Sequence, residues 1–201
     1  MMLVAGYETN TGIAITNNDF DGQTEYSTSC NGEHYWALFL TGENDQITLK
    51  GNYIHHTSGR SPKVDENTLL HAVNNYWADN SGHAFEGSSG YILVEGSVFD
   101  NVTAAEQDFA GALFAANDES AASECASGLD RSCAVNSFSD SGELTGSDSS
   151  VLSQFSGLTI ATADADAQAV PDNAGVGKLS GGSAKNTTKV RRAIVERRAW
   201  L

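Results

Sequence analysis

One recurrence limits the fold of this chain more than any other feature. Four segments share a plan of short apolar run, small polar pair and apolar pair. They are Ile13-Ala14-Ile15-Thr16-Asn17-Asn18-Asp19-Phe20, Ile47-Thr48-Leu49-Lys50-Gly51-Asn52-Tyr53-Ile54, Leu70-His71-Ala72-Val73-Asn74-Asn75-Tyr76-Trp77 and Ile92-Leu93-Val94-Glu95-Gly96-Ser97-Val98-Phe99. The second polar position holds Asn18, Asn52, Asn75 and Ser97, at spacings of 34, 23 and 22 residues. A period near 22 with short strands and small polar bends indicates the coils of a parallel β-helix, each stacked on the next. Hairpins would place turns roughly every 8–12 residues and need no regular asparagine. The equivalent positions are expected to form a ladder, each side chain satisfying the backbone of a tight bend. The expected fold is therefore all-β, a single-stranded parallel β-helix.

The first interval is longer than the others by eleven or twelve residues, and the excess lies around Glu25 to Tyr35 and contains Cys30. Insertions in a solenoid become loops on one face, often the binding face. Tyr35 and Trp36 follow at once, with flat rings suited either to stacking on sugars or to the core. After Phe99 the period fades. Residues 103–118 read as a short helix or loop, 119–150 as Ser/Gly/Asp-rich, Ser153 to Leu158 as a helical turn and Leu158 to Ala161 as a strand. This divides the chain into coils over residues 1–102, a segment 103–179 folding back along the solenoid, and a basic tail 180–201. The tail carries a weakly amphipathic helix candidate over residues 189–198 and is read as a disordered or spurious extension.

Charge narrows the function. The net charge is −15, made of −20 over residues 1–180 and +5 over 181–201. An acidic body of this kind repels nucleic acid and anionic membranes, so neither is an expected partner. Residues 1–180 hold five cations, Lys50, Arg60, Lys63, Arg131 and Lys178, against twenty-five carboxylates. Arg60 and Lys63 lie three residues apart in Arg60-Ser61-Pro62-Lys63. Cations placed so closely in an acidic chain suit an anionic group or developing negative charge. Gly59 permits unusual backbone angles and Pro62 fixes one, which favours a stiff turn.

Other chemistry is sparse. There is no nucleophile elbow, phosphate loop, zinc-protease motif or calcium loop. His55 and His56 are adjacent, and neighbours on a strand point to opposite faces, so they read as a poor chelating pair. No metal and no cofactor are expected. Cys125 and Cys133 are compatible with a small disulfide loop in an oxidising compartment, or with reduced thiols in the cytosol. Asn101-Val102-Thr103 and Asn186-Thr187-Thr188 are glycosylation sequons. The chain shows no signal peptide and no apolar run of about 18 residues.

The run from Asn52 to Lys63, Asn52-Tyr53-Ile54-His55-His56-Thr57-Ser58-Gly59-Arg60-Ser61-Pro62-Lys63, resembles the central motif of fungal pectin lyases, in polysaccharide lyase family one. Thr68 to Trp77 and Ser81-Gly82-His83-Ala84-Phe85-Glu86 resemble the segments that follow it there. The likeness covers about residues 1–180 and points to the C-terminal half of such an enzyme. It implies a right-handed β-helix truncated at its N-terminal end, a secreted protein that is a monomer when full length, and β-elimination of methyl-esterified polygalacturonate. By position it makes Arg60 the catalytic arginine, Lys63 a substrate-binding lysine, and Trp36, with Tyr35 beside it, part of the aromatic cleft. It pairs Cys125 with Cys133 and gives Cys30 a partner in the N-terminal half. Elimination consumes no water, so the carboxylate pair of a glycosidase is not needed. Fixed cations would stabilise the enolate-like transition state. The family role of Arg60 is that of base, which its residue chemistry alone does not supply. Two other readings compete: a non-catalytic carbohydrate-binding β-helix remnant, and a pectate lyase that binds de-esterified chains through calcium.

Overall fold

The computed structural model describes residues 1–142, 144–163 and 166–178. The basic tail, including its helix candidate and Asn186, lies outside the described residues. The chain winds as a parallel β-helix with three faces. The first face stacks Ile13–Thr16, Gln46–Lys50, Leu69–Val73, Tyr91–Glu95 and Ala112–Ala115, all parallel. The second stacks Asp19–Asp21, Tyr53–His55, Tyr76–Gly87, Val98–Phe109 and Ser137–Ser139. The third stacks Leu3–Gly6, Leu38–Thr41, Lys63–Val64 and the far end of Tyr76–Gly87.

Register follows the repeat. Ile13 and Ile15 sit beside Ile47 and Leu49, which sit beside Leu70 and Ala72, and then Ile92 and Val94. These side chains fill the interior together with a second row, Phe20, Ile54, Trp77, Phe99 and Phe138. In that row Trp77 stacks on Phe99 with ring centroids 4.8 Å apart, and Phe99 on Phe138 at 5.2 Å. Like side chains stack on like because equivalent positions of successive coils face each other.

The polar ladder runs between these rows. Asn52 Oδ1 accepts from the backbone N–H and the side-chain amide of Asn18, both at 3.0 Å. Asn75 Oδ1 accepts the same two bonds from Asn52. Ser97 Oγ then accepts from Asn75 N–H at 3.2 Å, and Asn136 Oδ1 from Ser97 N–H at 3.0 Å. Before each rung from Asn18 to Ser97 stands a residue of positive φ: Asn17, Gly51, Asn74 and Gly96. Asparagine and glycine are the residues that tolerate this left-handed bend. The fifth rung, Asn136, is not visible in the sequence spacing, because a long excursion separates it from Ser97.

Two expectations fail beyond Phe99. Residues 98–109 form one long strand rather than fading into a helix or loop, and Ala112–Ala115 adds a further strand. Asp, Ala, Glu and Gln are weak strand formers, but the ready-made edge of Tyr76–Gly87 pairs with them, and tertiary context overrides propensity. Residues 158–161 carry no strand; the helical turn falls at Ser150–Gln154. Short helices at Glu119–Glu124, Ala126–Leu129 and Ser150–Gln154 lie over the first face. Leu93, Val151, Leu152 and Phe155 form a second apolar cluster there. The cover explains why Leu69–Val73 and Tyr91–Glu95 are largely buried on both faces.

Beneath this cover lies a buried ion cluster. Glu95, fully buried, receives both terminal amines of Arg131, at 2.9 and 2.6 Å, and His71 Nε2 lies 2.8 Å from it. Ala134 N–H adds a fourth bond at 3.1 Å. Burial pushes the Glu95 carboxyl up, but the hydrogen bonds and charges of Arg131 and His71 outweigh it and hold the group down at about 2. A disulfide joins Cys125 to Cys133 around the Arg131 loop, and Cys30 is an exposed free thiol. No helix among the described residues is long and apolar enough to cross a membrane.

Candidate active site

Arg60 and its neighbours form a turn held from four sides. Leu38 N–H donates to Arg60 O at 2.9 Å, and Ser61 N–H to Ala84 O at 2.9 Å. Trp77 Nε1 donates to Ser61 O at 2.7 Å, and Thr57 Oγ1 to Ser61 Oγ at 3.1 Å. The left-handed residue in this turn is Arg60 itself, at φ 48, and not Gly59 as the sequence suggests. Such a conformation costs of order 1–3 kcal/mol and persists only where surroundings enforce it. Gly59 serves a different purpose. A Cβ there would lie 2.7 Å from the Tyr35 ring and 3.1 Å from His83. Gly82 is equally necessary, since a Cβ would meet Ser58 O at 1.8 Å. The two glycines let the Arg60 turn and the Tyr76–Gly87 strand come into contact.

The guanidinium is fixed by one carboxylate and two rings. Arg60 Nε donates to Glu86 Oε1 at 3.0 Å and Oε2 at 3.3 Å. Its Cζ lies 5.2 Å from the Tyr35 centroid and 5.8 Å from that of Trp36, within cation–π range. Among the described residues no hydrogen bond occupies its two terminal amines. Glu86 also holds His83 Nε2 at 2.7 Å, and Tyr35 Oη approaches it at 3.5 Å. Burial raises the Glu86 carboxyl, yet the hydrogen bonds from His83 and Arg60 and their charges prevail and keep it below the usual carboxylate range. The sequence alone does not mark Glu86 and His83 as site residues. The run Ser81 to Glu86 carried no charge pattern that would separate them from a solvated strand.

Lys63 stands on the same side, with Nζ 3.1 Å from Asp65 Oδ2 and 5.7 Å from the Phe39 ring. A cleft of about 350 Å³ opens between Tyr35, Lys63, His83, Glu86, Gln107 and Asp108. Trp36 is 45% exposed, so its ring is not consumed by the core. Tyr35, Lys63 and Glu86 line this cleft, Arg60 is held against its Glu86 and Tyr35 wall, and Trp36 stands exposed on the guanidinium. Such a set can bind a polar, ring-bearing chain and stabilise negative charge that develops beside Arg60.

One expectation about neighbouring residues is overturned. His55 and His56 do not point to opposite faces: His56 takes φ 52, and the two Nδ1 atoms lie 2.6 Å apart. The rule of alternation holds only while the backbone stays extended.

No family model matches the chain. Comparison with curated proteins does find relatives. Probable pectin lyase D of Aspergillus flavus is 51% identical over 179 residues, 88% of this chain and 47% of that protein. Pectin lyase 2 of Aspergillus oryzae matches to the same extent. Probable pectin lyase A of Aspergillus fumigatus is 52% identical over 182 residues, 88% of this chain and 48% of its own length. The chain spans about half the length of the curated relatives it matches, and over that half it belongs with the fungal pectin lyases.

Proposed function

We propose that this chain carries the arginine-bearing part of a pectin lyase, one that cleaves methyl-esterified (1→4)-α-D-galacturonan by β-elimination. The observation that carries the reading is Arg60. Its guanidinium is held at Glu86 within cation–π range of Tyr35 and Trp36, and among the described residues no hydrogen bond occupies its terminal amines. In the reaction a base removes the proton from C5, beside the ester carbonyl. The electron pair spreads onto the carbonyl oxygen, then forms the C4–C5 double bond as the C4–O bond breaks, and the leaving oxygen takes up a proton. Water is not consumed. Arg60 stabilises the enolate-like oxygen. A guanidinium with a carboxylate partner at 3.0 Å suits a standing positive charge, and that role agrees better with its chemistry than proton abstraction. Lys63 binds substrate, and Trp36 and Tyr35 supply ring faces for sugars. A methyl ester cancels the substrate's charge, so the acidic body does not repel it. The expected setting is extracellular, where the Cys125–Cys133 bond and the exposed Asn101 sequon belong.

The test has two arms, since the relatives are twice as long. Residues 1–178 are assayed alone and joined to the N-terminal part of the Aspergillus oryzae relative. Highly methylated pectin is the substrate, and unsaturated product is read by ultraviolet absorbance. We expect product in the joined protein without added calcium. A calcium requirement, or faster cleavage of de-esterified chains, would reassign the site to a pectate lyase. A correctly folded joined protein that binds pectin but yields no unsaturated product would favour a binding module.

A further inference from the structure

We propose that Asp21, His55 and His56 form a binding site for a borderline divalent transition ion of the zinc class. It lies on the outside of the second face, apart from the Arg60 groove. The register creates it. Asp19–Asp21 pairs in parallel with Tyr53–His55, so Asp21 lies beside His55 and Asp19 beside Tyr53. Phe20 and Ile54 turn inward to the core, which sends Asp19, Asp21, Tyr53 and His55 outward together. The left-handed turn at His56 then brings its ring round to meet its neighbour.

The distances fit one ion. His55 Nδ1 and His56 Nδ1 are 2.6 Å apart, and Asp21 Oδ1 lies 3.8 and 3.5 Å from them. All three donor atoms fall within 4.8 Å of one another. Tetrahedral zinc with bonds of about 2.0–2.1 Å spaces its donors at about 3.3 Å, inside the range found here. Two imidazoles and one carboxylate leave a fourth position for water. The supporting contacts are also those of a metal site. His55 Nε2 lies 2.8 Å from Asp19 Oδ1, the carboxylate–histidine pairing that fixes a ligating imidazole with its other nitrogen free. Tyr53 stacks on the His55 ring at 4.1 Å and holds its plane.

The network also assigns the protons. A carboxylate only accepts, so His55 carries its hydrogen on Nε2 and offers a lone pair at Nδ1. His56 Nδ1–H must then donate to it in the ion-free chain. On binding, the His56 hydrogen moves from Nδ1 to Nε2, both Nδ1 lone pairs go to the ion, and the charge balance is that of the ion plus Asp21. Asp21 comes from one coil and the histidines from the next, so the ion would pin adjacent coils and stabilise the fold by mass action. Calcium is a poor occupant, because it takes six to eight oxygen ligands.

The experiment uses the untagged chain with Cys30→Ser, which removes the exposed thiol as a competing ligand. Cobalt(II) is titrated and its visible d–d absorption recorded, then zinc is added to displace it. Thermal unfolding is followed with zinc and with calcium. We expect one cobalt per chain with a tetrahedral spectrum, displacement by zinc, and an unfolding temperature raised by zinc but not by calcium. His56→Asn should keep the fold, since asparagine accepts the left-handed backbone, and should weaken binding by at least about tenfold. Asp19→Asn should weaken it by about 10–100-fold through loss of its hold on His55. A chain with native circular dichroism that gives no cobalt band and no zinc shift would overturn the site. So would an affinity unchanged in both His56→Asn and Asp21→Asn.

Discussion

The molecule contains the same trio twice, a glutamate holding one arginine and one histidine, and puts it to opposite uses. Glu95 and His71 are buried between the solenoid and its helical cover, and Arg131 reaches them from the partly exposed edge. Glu86 and His83 line an open groove, and Arg60 is held against Glu86. The difference lies in which atoms of the arginine are spent. Arg131 gives both terminal amines to Glu95 and further bonds to Ser132 O and Ala161 O, so its terminal amines are spent within the fold. Arg60 gives only the Nε edge to Glu86 and is steadied by rings instead. An arginine that spends both terminal amines on a buried carboxylate makes a clasp. An edge-held guanidinium with free amines is a tool held by its handle.

The largest effect should separate the clasp from the tool. Arg131→Ala leaves the Glu95 charge buried and only partly compensated, which costs about 3–5 kcal/mol. For a chain of this size that lowers the unfolding temperature by roughly 6–20 °C, measured by calorimetry. A loss below about 1 kcal/mol would mean the two trios are energetically alike. Next, Arg60→Ala in the joined protein should slow elimination by about 10²–10³, with the unfolding temperature nearly unchanged. If the variant loses stability instead of rate, Arg60 is a second clasp.

Acid sharpens the contrast. The Glu95 carboxyl is held at about 2 against an ordinary 4.5, so its contribution to stability is complete above about 4.5 and is lost as pH falls from there towards 2. Denaturant titrations across that window should show a slope that Glu95→Gln largely removes. Glu86 is also depressed, but it is 16% exposed and its partners are looser, so Glu86→Gln should remove less of the slope. The smallest effect belongs to Lys63. Its pair with Asp65 is partly exposed, worth at most about 1 kcal/mol, so Lys63→Ala should barely move stability. It should raise KM for pectin with kcat little changed, the mark of lost ground-state binding.

The coils were readable from the sequence because each carries its bend chemistry locally. Asn18, Asn52, Asn75 and Ser97 each follow a residue suited to positive φ, and each stands between two apolar runs. Asn136 was hidden, since nothing local marks a rung whose neighbour lies 39 residues away. The strand from Val98 to Phe109 was hidden for a related reason: its neighbour, not its composition, makes it a strand. Arg60 and Lys63 stood out through the scarcity of cations. Glu86 did not, as one carboxylate among many, and only the fold shows that it meets Arg60 across 26 residues. The His55–His56 pair misled because one backbone angle reverses the direction of a side chain, and residue type alone does not reveal that angle.

The asparagine ladder has a direction. At Asn52, Asn75 and Asn136 the carbonyl end faces the earlier coil and accepts, while the N–H groups of that earlier coil donate towards it. Aligned amide dipoles add, and each bond polarises the next. Turning any single amide over would set NH₂ against a backbone N–H and break two bonds at once, so the fixed backbone donors hold the rungs in one sense. One orientation is thereby shared by the whole row. Ser97 is the point where that order weakens, because its hydroxyl accepts a single bond from Asn75 and turns its own hydrogen back to Glu95 O. The solenoid thus has two ordered blocks joined at a softer rung, and the coil that follows this rung is the one the helical cover and the Glu95 clasp secure from outside.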